Sequence, residues 1–196
     1  MKITNDTMRS RRIALTFTLA ILGASAFAQI PVRLNQGWSA ADSEWFYSTT
    51  QGSQLIPYAY YIALEQAGNS RLFNDPANIE KFRCLPRPAT SANPDALPVG
   101  FVMDKWKTER DKHKVEGRSI GFTCAACHTG QITYQGTTMR IDGGPSFADM
   151  DSLIVAIHDA MKATLEDPAK FARFKKGCWQ IRSVTTQSIT KTFATN

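Results

Sequence analysis

The residues whose types and spacing can do chemistry are Cys124-Ala125-Ala126-Cys127-His128. Thiols separated by two residues lie on one side of a single helical turn. From there both reach the vinyl groups along one edge of a porphyrin as thioethers, and the adjacent imidazole supplies an axial ligand to the iron. This is covalent haem attachment by a C-x-x-C-H sequence. Small residues between the cysteines are expected to let the turn lie close against the macrocycle. The attached haem is expected to anchor a core around one large apolar disc. Other readings are weaker. A redox-active C-x-x-C of the thioredoxin type needs a βαβ setting that the surrounding residues do not offer. A zinc site needs a second ligand pair, and the isolated Cys84 and Cys178 do not form one at a recognisable spacing. A disulfide between Cys124 and Cys127 leaves His128 without a role.

Spacing does not identify the ligand on the opposite face of the iron. Met139, Met150, His158 and His113 are the candidates, each with a plain alternative as a core or surface residue. A strong sixth ligand, Met or His, makes an electron carrier, whereas an open position lets the iron bind O2 or peroxide. Cys84 and Cys178 have no geometric argument for pairing and are expected to be unpaired or incidental.

Several elements must position this motif. Residues 35–68 are rich in aromatic side chains, and Ser39 with Asp42 marks a helix start ahead of Trp45, Phe46 and Tyr47. Tyr58 to Gln66 reads as a second helix ended by Gly68-Asn69. Trp38, Trp45, Tyr58, Tyr60 and Tyr61 read as core residues, with lining of a cofactor pocket as the sharper alternative. Cys84 to Pro98 carries Pro86, Pro88, Pro94 and Pro98 and reads as an extended surface loop. Asp104 to Arg118 mixes six bases with four acids, a solvated face in the plain reading and a docking site for an acidic redox partner in the sharper one. Gln131 to Gln135 and Thr138 to Asp142 alternate about Gly136 and predict a hairpin. Ser146 with Asp149 then caps a helix carrying Leu153, Ile154, Ile157 and Met161. Asp167-Pro168 starts a short helix through Phe171 and Phe174.

The chain of 196 residues holds one domain with appendages, and its 43% hydrophobic and 20% charged residues exclude a disordered or disulfide-dense protein. Lys2, Arg9, Arg11 and Arg12 precede an uncharged run from Ile13 that ends in Ala26-Phe27-Ala28, the pattern of a cleaved secretory signal. The run is short for a bilayer span, so an uncleaved anchor is the weaker reading and the sole route to a membrane. Arg11-Arg12 hints at twin-arginine export, but a haem attached after export favours the general secretory route. Loss of residues 1–28 would take the formal charge from +6 to +3. The expected location is periplasmic or secreted. Nucleic acid is rejected as a partner, because the basic residues show no aromatic interleaving or binding-fold signature.

Three stretches together resemble a known family: Asn35-Gln36-Gly37-Trp38-Ser39, Gln51-Gly52-Ser53-Gln54-Leu55-Ile56-Pro57-Tyr58, and Gly121-Phe122-Thr123 leading through the haem motif to Thr129-Gly130-Gln131-Ile132, with Ile141-Asp142-Gly143-Gly144-Pro145 after it. They look like the di-haem c-type proteins that include secreted rubber oxygenases, distant relatives of bacterial di-haem cytochrome c peroxidases. The resemblance covers about residues 35–174. It implies a mainly α, c-type cytochrome-like helical haem domain with a small β-hairpin, and one covalent haem c on Cys124, Cys127 and His128. The expected function is electron transfer with a redox partner protein or a small oxidant. The alternative is the haem half of a di-haem oxygenase or peroxidase-like oxidoreductase. Family members carry a second C-x-x-C-H in a following domain, and this sequence has one such motif. The expected division is a signal over 1–28, a haem domain over 29–176 and a Ser/Thr-rich tail over 177–196, disordered or foreign to the family. That tail, which runs without acids past Ser183, Thr185 and Thr186, suggests a truncated or frame-shifted reading frame.

Overall fold

The computed structural model describes residues 31–110 and 113–193, with side chains over 31–107 and 117–181. The basic cluster and the Ala26-Phe27-Ala28 site of the expected export signal lie outside the described residues, as does the side chain of His113. From the N-terminus come β1 (Val32–Arg33), α1 (Ala40–Ser48), β2 (Ile56–Pro57), α2 (Tyr58–Ala63), α3 (Pro76–Ile79) and a 3-10 turn (Glu80–Phe82). Then follow β3 (Phe101–Arg110), β4 (His113–Phe122), α4 (Cys124–Cys127), β5 (Thr129–Tyr134), β6 (Thr137–Asp142), α5 (Met150–Glu166) and α6 (Pro168–Phe193).

The fold is mixed α/β, not mainly α. It is 40% helical and 22% strand, with two three-stranded sheets ordered β1-β6-β5 and β2-β4-β3. The expectation of a cytochrome-like helical domain with one hairpin fails at residues 101–122. The mixed-charge stretch read as a solvated face is a long antiparallel ribbon. Its register sets Lys107 opposite Glu116 and Glu109 opposite Lys114, positions of opposite charge in the sequence. Frequent charge hides period-2 alternation, so the ribbon carries almost no apolar signal in sequence. One aromatic anchors it. Trp106 lies across Gly117, where an added Cβ would come within 2.2 Å of the ring, and its Nε1 donates to Ser119 Oγ at 3.0 Å.

The other elements show where local signals suffice. Ser39 and Asp42 form the capping box of α1, each accepting from the other's backbone N–H at 3.2 and 2.7 Å. The hairpin about Gly136 forms as β5 and β6, with Thr129 opposite Asp142. Helix α2 stops at Ala63, earlier than expected, because Glu65 bridges to Leu72 and Phe73 N–H donates to Leu64 O at 2.7 Å. Helix α5 is capped by Asp149 alone, and Ser146 belongs to the loop before it.

The main core gathers Tyr58, Tyr61, Phe73, Ile79, Ile120, Leu153 and Phe174 from the β2-β4-β3 sheet, four helices and the loop after α2. It closes with protein side chains and includes none of the haem-motif residues. Helix α6 runs through residue 177 without a break, so the composition change at that point is not an end of structure. Gly177 sits where α6 crosses α2, and a Cβ there would stand 2.9 Å from Ala63 Cβ.

The start of α6 is tied down by a buried acid. Glu65, on the loop after α2, accepts from Arg173 Nε at 2.6 Å and from Lys170 Nζ at 3.3 Å, and the same Nζ donates to Gln66 O at 2.7 Å. Arg173's hydrogen bond, aided by Lys170, holds the Glu65 carboxyl below its ordinary value, against the opposing effect of burial. A carboxylate whose folded-state affinity for protons is depressed stabilises the fold above the unfolded pKa, and that contribution is lost as pH falls through the lower folded value. Stability should therefore decline on acidification below about 4.5, the ordinary value. Glu65→Gln should flatten that part of the curve. Urea midpoints measured from pH 6 to pH 3 check it, and two parallel curves would show that Glu65 does not contribute.

Candidate functional site

The Cys124–His128 motif occupies one helical turn that is hydrogen-bonded to the rest of the protein at both ends. Thr123, in extended conformation, caps it by accepting from Ala125 N–H at 3.2 Å, and the Thr123 hydroxyl also lies 3.4 Å from Phe46 O. Ala126 N–H donates to Thr123 O, and His128 N–H donates to Cys124 O. The carbonyls left over at the end of so short a helix need partners from outside. Ser146 N–H donates to Cys127 O at 3.0 Å and Gly143 N–H to His128 O at 2.8 Å. The loop from Gly143 to Asp149 is thereby wrapped around the turn. Gly143, at φ +80°, takes a conformation suited to glycine.

Side chains divide by face. Ala125 and Ala126 are buried, Ala125 packed with Tyr47 and Val99 and Ala126 against Gly100, while Cys124, Cys127 and His128 are exposed together. The two alanines are therefore small because of the protein beneath them. At Gly100, φ +78°, an added Cβ would lie 2.1 Å from Ala126 N, and Gly100 O accepts from Thr123 N–H at 2.8 Å. This replaces the expectation that Ala125 and Ala126 are small in order to admit a macrocycle.

Beneath the turn lies a polar network that spacing in the sequence does not reveal. Asp142, at the end of β6, accepts from Ser43 Oγ at 2.7 Å and Tyr47 Oη at 2.5 Å, two residues one turn apart on α1. The Gln36 side chain pairs with the Asp142 backbone, donating to its O at 2.7 Å and accepting from its N–H at 3.1 Å. Arg33 and Arg87 lie over the Tyr47 ring at 5.5 and 5.3 Å, and Arg87 also binds Glu44 at 2.6 Å. Burial, then the hydrogen bond to Asp142, pushes the Tyr47 phenol up to about 12, so it holds its proton and acts as a donor at neutral pH. Arg140, whose guanidinium burial lowers from its ordinary value, donates to Gln131 Oε1 at 2.7 and 3.2 Å.

The sheet over this network is turned inside out. Arg33, Gln131, Arg140 and Asp142 share the face toward α1, and Val32, Ile132 and Met139, opposite one another in register, share the other. Ile132 and Tyr134, whose alternation reveals the hairpin, are exposed.

The sixth-ligand candidates are scattered. Met139 is half-buried on the outer face of that sheet; Met150 opens α5 and packs against the main core; His158 is exposed beside Asp159, 3.3 Å away. Among the aromatics, Tyr58 and Tyr61 are core residues and Tyr60 packs on Phe174. Trp38 and Trp45 are exposed, on or beside the helix that packs against α4. Cys84 is buried, and burial raises its thiol to about 11, which keeps it protonated and unreactive at neutral pH. Cys178, on α6, donates to Ala59 O at 3.5 Å.

The residues present fit a covalently attached haem. Cys124, Cys127 and His128 present two thiols and an imidazole from one turn, toward solvent, with no competing hydrogen bond to the imidazole among the described residues. Such a group would be held by both sulfurs and by His128.

Comparison with known proteins is sparse. No family model matches the chain, and no solved structure matches it. A protein of Sinorhizobium fredii named "Uncharacterized protein y4iJ" is 32% identical over 157 residues, covering 72% of this chain and 25% of the relative. The chain thus spans about a quarter of the length of the curated relative it matches.

Proposed function

We propose that this chain is an exported c-type haem protein that takes part in electron transfer. Cys124 and Cys127 would hold the haem as thioethers, and His128 would be its axial ligand. One observation supports this above the others: the three side chains the chemistry needs are exposed together, on a turn whose intervening alanines are buried and whose two ends are hydrogen-bonded to the protein. A zinc site needs further ligands that Cys84 and Cys178 do not supply, and a disulfide leaves His128 without a role. The bound haem would supply one-electron exchange at its iron. The protein's own part is to fix the turn through Gly100, Ser146 and Gly143, and to keep the hydrogen-bonded network of Asp142, Ser43 and Tyr47 behind it. The exchange partner in this reading is a redox protein or a small oxidant, met in the periplasm or outside the cell.

The chain's coverage of only a quarter of its relative favours a second reading. Here the same turn is the haem-bearing portion of a larger oxidoreductase of the oxygenase or peroxidase kind. Expression in a host with c-type maturation tests both. Haem staining after denaturing electrophoresis, with a pyridine haemochrome assay, should give one covalent haem per chain. A reduced spectrum unmoved by CO supports the carrier, and a shift supports the reactive centre. Absence of covalent haem in that host overturns the proposal.

A further inference from the structure

An edge strand presents a row of unpaired N–H and C=O groups that pairs with another chain unless shortness, charge or proline prevents it. Among the described residues the two sheets have four edge strands, and three are protected in this way. β1 and β2 are each two residues long, and β2 ends in Pro57. β3 carries Asp104, Lys105, Lys107, Glu109 and Arg110. The fourth edge is β5, Thr-Gly-Gln-Ile-Thr-Tyr, six residues with neither a charge nor a proline.

The first part of β5 is covered. Thr129 and Gly130 are buried, and the Pro145 carbonyl oxygen stands 2.8 Å from where a Cβ on Gly130 would lie. Gln131 to Tyr134 is open, with Ile132 44% and Tyr134 65% exposed. The turn decides which backbone groups are free. Gln135 and Gly136, at φ +47° and +76°, make a two-residue hairpin turn of type I′. Tyr134 and Thr137 are then a hydrogen-bonded pair, and such pairs recur at every second residue. Ile132 therefore turns its N–H and C=O to β6. Those of Gln131 and Thr133 point away from it and have no backbone partner among the described residues.

We infer that β5 pairs antiparallel with β5 of a second copy of this chain, about a two-fold axis at Ile132, so that the two three-stranded sheets continue into one another. The strand is complementary to itself in that register. Gln131 falls opposite Thr133 of the partner subunit and Thr133 opposite the partner's Gln131, each pair exchanging both main-chain hydrogen bonds. Gln131 Oε1 is taken by Arg140, and its Nε2 hydrogens, without a partner among the described residues, are available to the threonine hydroxyl opposite. Ile132 meets Ile132 of the partner subunit in a non-hydrogen-bonded pair, the closer of the two spacings, with Cα atoms about 4.5 Å apart. No charge enters the contact, so none has to be desolvated. Neighbouring registers fail. Centred on Gln131, the pairing would need the covered Thr129; centred on Thr133, it would need Gln135, whose φ of +47° belongs to the turn. Each β5 starts at the residue after His128, so the two C-x-x-C-H turns lie at opposite ends of the paired strands. The inference does not depend on what those turns carry.

Sedimentation equilibrium of the full chain matured in a c-type host, from about 1 µM to about 1 mM, spans the range expected of so small an interface. A monomer–dimer equilibrium is the expected result. Ile132→Lys and Ile132→Asp each place like charges on the axis and should weaken dimerisation about tenfold or more. An equal mixture of the two variants should dimerise again, because Lys then faces Asp across the axis. A defect local to either chain cannot produce that rescue. Thr133→Pro removes an N–H that points outward and spares the β6 ladder, so it is a second route to the monomer should a charge variant misfold. Amide exchange gives an independent readout: the Gln131 and Thr133 N–H groups should become protected as the dimer forms. A wild-type chain that stays monomeric overturns the inference, and protection of those two amides in the monomer would assign the edge to another segment of the same chain. Dimerisation that survives Ile132→Lys, or a mixture that stays monomeric, overturns it as well.

Discussion

Cys124→Ser combined with Cys127→Ser is expected to abolish all haem that survives denaturing electrophoresis, and to do so without unfolding the protein. Both thiols are exposed and neither contributes to either apolar cluster. Exchange of sulfur for oxygen at such positions should cost no more than about 0.5 kcal/mol. The singly substituted chains should keep one thioether, and His128→Ala should keep both while losing the axial imidazole, which alters the spectrum and not the attachment. The measurement is haem stain per chain against a urea midpoint taken on the same preparation. Haem retained by the double variant would exclude these sulfurs as the attachment points. A haem-free double variant less stable than the haem-free wild-type chain would mean that the thiols serve the fold instead.

Gly100→Ala should be among the most destabilising small substitutions in the described chain. Two costs combine. At φ +78° an alanine sits in left-handed backbone, costing about 1–2 kcal/mol. Its Cβ would also stand 2.1 Å from Ala126 N and 2.3 Å from Ala126 Cα. Those are backbone atoms that cannot rotate away, and forced overpacking adds about 1–3 kcal/mol. A total of roughly 2–5 kcal/mol follows from these ranges, and α4 must move to accommodate it. Gly143→Ala is the matched control: φ is +80°, but nothing lies within 4 Å of its Cβ, so it should show the backbone cost alone. Chemical denaturation of the pair checks this. Equal losses would show that the approach of Gly100 to Ala126 relaxes freely. The haem-loaded fraction should fall with Gly100→Ala even at low temperature, because α4 is displaced along with its thiols.

The two predictions separate faces of the same five residues. Substitution outward removes chemistry and spares the fold; substitution inward disturbs the fold and, through it, the presentation of the sulfurs. This division also bears on the expectation that a haem disc forms the core. Tyr61, Ile120 and Leu153 close the main cluster by themselves, and Tyr47, Val99 and Ala125 form a second beneath the turn.

Where local chemistry is strong, the sequence was read correctly. Ser39 and Asp42 sit three residues apart because reciprocal capping needs that distance, and α1 begins there. Gly136 permits the positive φ of a tight hairpin turn, and β5 and β6 flank it. The two thiols and the imidazole form one turn because a short helix is all their spacing requires.

Long-range pairing decided the rest. Residues 101–122 became a sheet through partners set by β2 and by the ribbon itself, and a run of alternating-sign charge carries no apolar period to announce it. Helix α2 is cut short by the pairing of Glu65 with Leu72, which propensity along Tyr58 to Gln66 does not foresee. Asp142 draws Ser43 and Tyr47 to its carboxylate and Gln36 to its backbone across about a hundred residues of chain, an arrangement that no local window contains. Thr129 was a letter beside the motif until folding buried its hydroxyl without a partner. By itself the sequence supplied the C-x-x-C-H spacing on which the proposed haem attachment rests, because that spacing is local. Only the tertiary structure decided the fold class, which face of the turn is free, and what surrounds it, because those depend on burial and on contacts between residues far apart in the chain.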